Sequence, residues 1–484
     1  MGGASAINIV VGLVRNKATA LILGPAGIGV IGLLLGLVAT IAGIAGLGIG
    51  NAAVQQIASD DDTMAQARAR RALWQLTLAL TLTGALATWF LRRPLAGLVL
   101  GDEHKSWQVG WLAIAVGLTI WSAGLVAVLN GLRRLRDLAG AQVLGALLGT
   151  ILGIAAMVIW HEDGILAYVV AAPLAAVIAS AWFVARLPRQ PAVGGVPWLV
   201  MAPMLQLGIP LMMGGIMLSL GALAIRALIG TRIGAAELGS FTAAWTLSVT
   251  YVGFVLGAMG TDYLPRLTSV IGDRQAACLS INEQAEISLL LALPVMLGMQ
   301  SAAPWVVWLL YSKEFAGAVD VLRWLIVADV LKIVAWPLGF IIIAQARAKS
   351  FLALEVATLG VTLGVMILLV DQVGIRAAGI GYCASYLFYT IIVAALAYRS
   401  LGWRPTNAML WLTSAGLAST IALGFLGSFN PLAGLLLGSA ATVLTGLYSM
   451  YRLLQLDAMP DIVLKALDMI GIRNISIIND TVPK

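Results

Sequence analysis

The chain is a succession of apolar runs, each about twenty residues long and nearly free of charge. Fourteen of them lie near 4–23, 28–50, 72–91, 108–130, 139–160, 165–185, 204–230, 237–260, 287–310, 322–345, 350–370, 377–398, 408–428 and 431–451. A hydrocarbon core about 30 Å thick is spanned by roughly 20 helical residues, so runs of this length read as membrane crossings. Composition agrees: 61% of residues are hydrophobic and 11% charged, with mean hydropathy +0.97. A soluble domain carries about 25% charged residues. Lipid must therefore be the solvent, and the expected fold class is an all-α integral membrane protein of about fourteen transmembrane helices.

The basic residues test that reading. With the N-terminus cytoplasmic, eighteen of the 29 lysines and arginines fall in cytoplasmic loops and the tail, six on the opposite side and five within spans. Such a bias supports both the count and the orientation, with both termini expected in the cytoplasm. The start Met1-Gly2-Gly3-Ala4-Ser5 lacks a basic n-region, and Arg15 and Lys17 interrupt the apolar run, so no cleaved signal peptide is expected. The net charge of +7 sits on the cytoplasmic side, which speaks for the membrane and not for nucleic acid.

Loops are short. The longest, 261–286, together with 51–71 and the tail at 458–471, reads as amphipathic and interfacial, and none holds a soluble catalytic domain. Cys278 and Cys383 are isolated, and His104 and His161 stand far apart, so neither a metal site nor a cofactor is expected. No P-loop or other ATP-binding signature appears, so direct ATP hydrolysis is not expected. The reading is a non-enzymatic one.

A repeat runs through the chain. Gly24-Pro25-Ala26-Gly27-Ile28-Gly29 follows the first span, and Gly234-Ala235-Ala236-Glu237-Leu238-Gly239 follows the seventh, 210 residues later. Six spans separate the copies, so both run in one direction. That predicts two parallel six-helix lobes, 1–195 and 204–400, around a central cavity, with two further helices and a cytoplasmic tail at 401–484.

A charge at the centre of a membrane helix costs roughly 2.5–3.5 kcal/mol on insertion scales and marks a pathway or a partner. The intramembrane bases are Arg15, Lys17, Arg226, Arg323 and Lys332; the acids are Asp329 and Glu355. Arg15 and Lys17 sit too deep to snorkel comfortably, and being two apart they cannot share one face of a regular helix. Arg226 and Arg323 lie nearer span ends and could be interfacial. Asp329 and Lys332, three apart, share a face and could neutralise each other or couple to an ion, as could Glu355. Pro337 should kink its helix, and the other glycines and prolines within spans suit close helix packing. The net excess of bases favours an anionic ligand over a cationic drug.

The stretches VRNKATALILGPAGIGVIG at 14–32, GLGIGNAAVQQIA at 46–58, TDYLPRLTSV at 261–270, INEQAEISLLLALPVML at 281–297 and YSKEFAGAVDVLRWLIVADVLKIVAWPLGFIIIAQARAKS at 311–350 carry a family likeness. The chain resembles the Wzx-type flippases, the polysaccharide-transporter branch of the multidrug/oligosaccharidyl-lipid/polysaccharide exporter superfamily. The resemblance implies a two-lobed transporter that moves undecaprenyl-pyrophosphate-linked oligosaccharide from the cytoplasmic to the periplasmic leaflet by alternating access. It implies basic cavity residues that engage pyrophosphate or acidic sugars, and Arg15 and Lys17 match those places in the first helix. Asn51 and Gln55 match the end of the second, and Asp262 and Arg266 the motif after the eighth. Polymerase and chain-length proteins are the implied partners. The rival readings are a small-molecule or cation antiporter of the same superfamily, a membrane-embedded glycan polymerase or ligase, and a non-transporting scaffold.

Overall fold

The computed structural model describes residues 2–59, 62–188, 191, 198–345 and 347–456. Arg189 and the tail segment 458–471 lie outside them. The described residues form fifteen α-helices and no strand. They are α1 (Gly2–Ala45), α2 (Ile49–Ser59), α3 (Thr63–Phe90), α4 (Arg92–Leu100), α5 (Ser106–Gly131), α6 (Leu135–Trp160), α7 (Ile165–Ala185) and α8 (Trp198–Arg232). They continue as α9 (Ala235–Val270), α10 (Arg274–Leu310), α11 (Ala316–Ala344), α12 (Ala348–Val373), α13 (Arg376–Leu401), α14 (Asn407–Phe429) and α15 (Pro431–Gln455).

Twelve helical stretches among the described residues are long and apolar enough to cross a membrane. Two are long enough for two crossings: Gly3–Ala45, of 43 residues, and Leu135–Ala185, of 51. The second is a hairpin. Gly145 packs on Ala176, Gly149 on Ala172 and Gly153 on Tyr168, so one number climbs as the other falls and the two arms are antiparallel. The first bends at Gly24, whose φ of 61° and ψ of −167° leave the helical region, with Pro25 next in line. Glycine takes that conformation without the Cβ clash other residues meet. Hydropathy alone gives fourteen crossings, a number reached only if Gly3–Ala45 also crosses twice, which its length allows.

The repeat reappears in the element boundaries. α10 ends at Leu310, 210 residues after α4 ends at Leu100; α11 begins at Ala316, 210 after α5 begins at Ser106. The short 3-10 turns Glu103–Lys105 and Lys313–Phe315 keep the same offset. The copies differ in two breaks. α10 runs unbroken where the first half is split at Leu91 into α3 and α4. α9 likewise runs unbroken from Ala235 to Val270, whereas its counterpart in the first half is interrupted by a turn at 46–48. There Leu47 and Gly48 have φ of 47° and 65°, and a Cβ on Gly48 would collide with the Gly208 carbonyl.

Two compact units make up the chain. One comprises Met1–Leu247, Pro304–Trp324 and Leu352–Ser385; the other comprises Ser248–Ala303, Leu325–Phe351 and Tyr386–Lys484. In the first, α1 beyond its bend lies antiparallel to α8. Gly36 meets Leu223 and Arg226, and the Thr40 hydroxyl donates to the Ser219 carbonyl at 3.3 Å. Small residues let these backbones approach closely, the usual basis of helix association in lipid.

In the second unit, α10 is the trunk. α14 runs parallel to it, with Gly416 on Leu293 and Gly424 on Gln300; α15 runs antiparallel, with Gly438 on Ser301 and Thr442 beside Gly298. Buried polar groups fasten the three together: Gln300 Nε2 donates to the Thr420 carbonyl at 2.8 Å, and Arg452 Nε donates to Glu286 at 2.8 Å. Trp403 Nε1 donates to Asn282 at 3.2 Å, and Asn282 in turn donates to the Arg404 carbonyl at 3.0 Å. Two members of the INEQAE motif, Asn282 and Glu286, thus help to hold the last two helices and the segment before them to α10.

Candidate functional site: intramembrane charge

Four ion pairs occur among the described residues: Arg134–Asp137, Arg232–Asp371, Arg376–Asp320 and Arg452–Glu286. None involves a basic residue that the sequence singled out within the spans. Those cations meet other fates, which the two units set separately.

In the first unit, Arg15 is half-buried in α1, and its Nε is buried without a hydrogen-bond partner. Arg226, half-buried in α8, lays its stem against Gly36 and donates from Nη1 to the Ala222 carbonyl of its own helix at 3.2 Å; its Nε also lacks a partner. Tyr382 acts on it electrostatically and lies against Trp245, the rings tilted with centroids 4.8 Å apart. α8 continues to Arg232, so Arg226 lies six residues inside the helix. Arg323 is buried at 8% exposure, seven residues into α11, with its Nε unpartnered. The carboxylate one turn back, Asp320, is taken by Arg376 at 2.7 and 3.0 Å.

Lys17 behaves differently. Its ammonium donates to the Trp308 carbonyl at 3.0 Å and to the Tyr311 carbonyl at 2.5 Å, at the C-terminal end of α10. A lysine there binds carbonyls that have no helical partner and opposes the negative end of the helix dipole. Asn16 and Thr246 both hydrogen-bond the Tyr311 side chain, so the contact has several strands. Arg15 and Lys17, two apart on α1, therefore diverge: one is unpaired and the other caps a helix.

In the second unit, the Asp329 carboxylate of α11 is 4% exposed and accepts from two hydroxyls of α9, Ser248 at 2.7 Å and Tyr251 at 2.5 Å. Lys332, one turn on, makes no ion pair with it. Its ammonium instead lies 5.6 Å from the centre of the Tyr386 ring, a cation–π arrangement. The direct neutralising pair is thus corrected. Two hydroxyls satisfy the acid and an aromatic face attends the base, while the two charges stay close enough to feel each other.

The remaining candidates spread out. Asn51 and Gln55 are exposed on α2. Arg266 is exposed and donates to Gln284 at 3.0 Å. Glu355 is half-buried in α12, and the Asp262 side chain lies outside the described residues. Sequence reading passed over Ser248, Tyr251, Asn16 and Tyr311. Ser248 and Tyr251, three apart on α9, were detectable only as hydroxyls on one helix face, a pattern too common to mark a site. No group of described residues could hold a metal ion.

The chain can be set beside known proteins at this point. It matches the family described as polysaccharide biosynthesis protein over residues 19–320. It is 24% identical over 403 residues to proteins named lipid III flippase from Escherichia coli (strain K12) and Shigella flexneri, covering 79% of this chain and 93% of each relative. Among solved structures it is similar to the lipid II flippase MurJ in an inward closed conformation, with TM-score 0.67, 12% identity and coverage of 94% and 99%. It is also similar to an inward-facing multidrug resistance MATE family transporter of the MOP superfamily, with TM-score 0.66, 18% identity and coverage of 82% and 94%. At these identities the solved structures speak for the fold, and the family model, matching well over half of the chain, shows the family: this protein belongs to the polysaccharide biosynthesis protein family.

Proposed function

We propose that this protein flips a polyprenyl-pyrophosphate-linked oligosaccharide from the cytoplasmic to the periplasmic leaflet by alternating access, as a step in polysaccharide biosynthesis. The observation that carries the reading is the pair of cations in the first unit, Arg15 and Arg226, within membrane helices and with no carboxylate partner. Holding a cation there costs roughly 2.5–3.5 kcal/mol, a cost that an anionic ligand offsets. A polyprenyl tail can remain in lipid throughout, while pyrophosphate and sugar cannot cross hydrocarbon unaided. Arg15 and Arg226 meet the anionic headgroup, and Asn51 and Gln55, exposed on α2 of the same unit, meet the sugar on its way.

The tail has a place of its own in the second unit. A cavity of about 240 Å³ there is lined by Leu293, Leu297, Trp411, Leu412, Leu444 and Tyr448, from α10, α14 and α15. It is apolar, and an isoprenoid chain suits it. The repeat supports lobes at 1–195 and 204–400, and the segment from 401 serves the lipid. An inside-negative potential drives an anion outward by roughly 2.3 kcal/mol per charge per 100 mV. Asp329, with Lys332 beside it, couples an ion to the cycle, and Glu355 is a second candidate for that role. Arg323 supports the first unit's positive field. The setting is the inner membrane with both termini cytoplasmic, beside polymerase and chain-length proteins.

The test is leaflet transfer of a polyprenyl-pyrophosphate oligosaccharide in proteoliposomes. Transfer above empty liposomes that falls in Arg226→Met supports the reading. Absence of transfer by folded protein with several glycans, together with uptake of organic cations, transfers the assignment to a small-molecule antiporter.

A further inference from the structure

Within the first unit the two copies of the glycine repeat meet face to face. A Cβ on Gly29 would run into the Ala235 carbonyl, and a Cβ on Gly239 would run into the Pro25 carbonyl. Residue 235 is the repeat mate of 25, and 239 of 29, so each copy offers the other the same surface. Gly32 faces its own mate, Thr242. This reciprocity is what a two-fold axis produces at the place where it passes through the chain. The seam is made of backbone and small side chains, which pack closely but hold one another only by dispersion. One charged contact lies alongside: Lys17 on α1 capping the end of α10 through Trp308 and Tyr311.

We propose that Lys17 is the latch of this seam. Its ammonium fastens the α10 end to α1 while the repeat copies touch, and it must let go before they part. The proposal rests on the alternating-access reading and adds to it a residue with a state-dependent partner. The chemistry suits a latch. A half-buried ammonium on two carbonyls favours one state and has no carboxylate to trap it permanently. Lys17 thus acts through the seam, as a positioning residue, while Arg15 and Arg226 meet the substrate.

The seam supplies its own reporter. A Cβ built on Gly32 lies 3.5 Å from Thr242 Cβ, within the range of about 3.5–4.5 Å that a disulfide spans. In the full chain with Cys278 and Cys383 replaced by serine, Gly32→Cys with Thr242→Cys reports how often the seam is closed. The rate of disulfide formation in proteoliposomes under a pulse of oxidant is compared for Lys17, Lys17→Gln and Lys17→Met. The latch predicts at least a five-fold slower rate in Lys17→Met and an intermediate rate in Lys17→Gln, whose amide still donates to carbonyls. It also predicts that oxidation stops lipid-linked oligosaccharide transfer and that reductant restores it. Equal rates in the three proteins, or transfer that continues through the cross-linked seam, overturn the latch. A normal order of cross-linking rates in a protein that never transfers substrate, oxidised or reduced, overturns instead the flippase reading on which it rests.

Discussion

Arg226→Met separates a ligand-binding cation from a structural one, because the two differ in what removal leaves behind. Arg226 has one hydrogen bond, to the Ala222 carbonyl of its own helix, a carbonyl that the helix already satisfies. Its removal orphans no carboxylate and takes away an intramembrane charge that costs roughly 2.5–3.5 kcal/mol on insertion scales. Methionine keeps much of the stem packing against Gly36. Stability should hold or rise. Arg452→Met is the control. It strands Glu286, whose side chain is 9% exposed, while Arg452 itself is 33% exposed. Breaking a buried pair costs about 3–5 kcal/mol, and the exposure of Arg452 lowers the expected loss to about 2 kcal/mol. For transport the order reverses. A hydrogen bond to a charged group is worth about 1.5–3 kcal/mol, so loss of Arg226 should reduce transfer at low substrate roughly ten- to hundred-fold. Heating in nanodiscs followed by size exclusion reads stability, and proteoliposome transfer reads function. Loss of stability in Arg226→Met matching that of Arg452→Met, with transfer intact in what survives, would refute the argument that Arg226 is unpaired for a ligand.

Other perturbations test the remaining features. Asp329→Asn keeps an acceptor for Ser248 and Tyr251 and should fold, but its transfer should no longer respond to an imposed proton or sodium gradient that stimulates the wild type. Asp329→Ala leaves two buried hydroxyls without their acceptor and should lower stability by about 1–3 kcal/mol per group, seen as a lower melting temperature. Gly424→Ala pushes a methyl into Gln300 Nε2 and should loosen α14 from α10, detectable as faster proteolysis near 401–406. Gly239→Val forces apart the backbones at Pro25, and the Gly32–Thr242 cysteine pair should then cross-link at least ten times more slowly.

Much of the fold was legible because lipid imposes a simple rule: apolar runs of crossing length must be helices. The repeat was legible for a different reason. Gly24-Pro25 and Gly234-Ala235 mark bends, and bends tolerate few residues. The hydropathy profile broke both long stretches; what it could not show was that one break is a single glycine at 24 and the other a four-residue turn at 161–164. The site was legible in kind and not in detail. Charge in lipid singled out Arg15, Lys17, Arg226 and Asp329, yet whether each has a partner depends on residues far along the chain. Lys17 finds carbonyls 291 and 294 residues away, and carbonyls carry no sequence signature. The Asp329–Lys332 spacing suggested a pair, but a helix face only brings residues near; α9 delivered better partners for the acid.

The interruption at 46–48 bears on how force passes through the molecule. In the second repeat copy α9 is one rod of 36 residues, whereas the first copy has a joint at the matching place, locked by Gly48 against Gly208. A stiff rod transmits displacement along its whole length, and a jointed one absorbs part of it locally. Although the two copies share boundaries at a 210-residue offset, they cannot be mechanically equivalent. Under a common load the second copy would act as a lever and the first as an elbow.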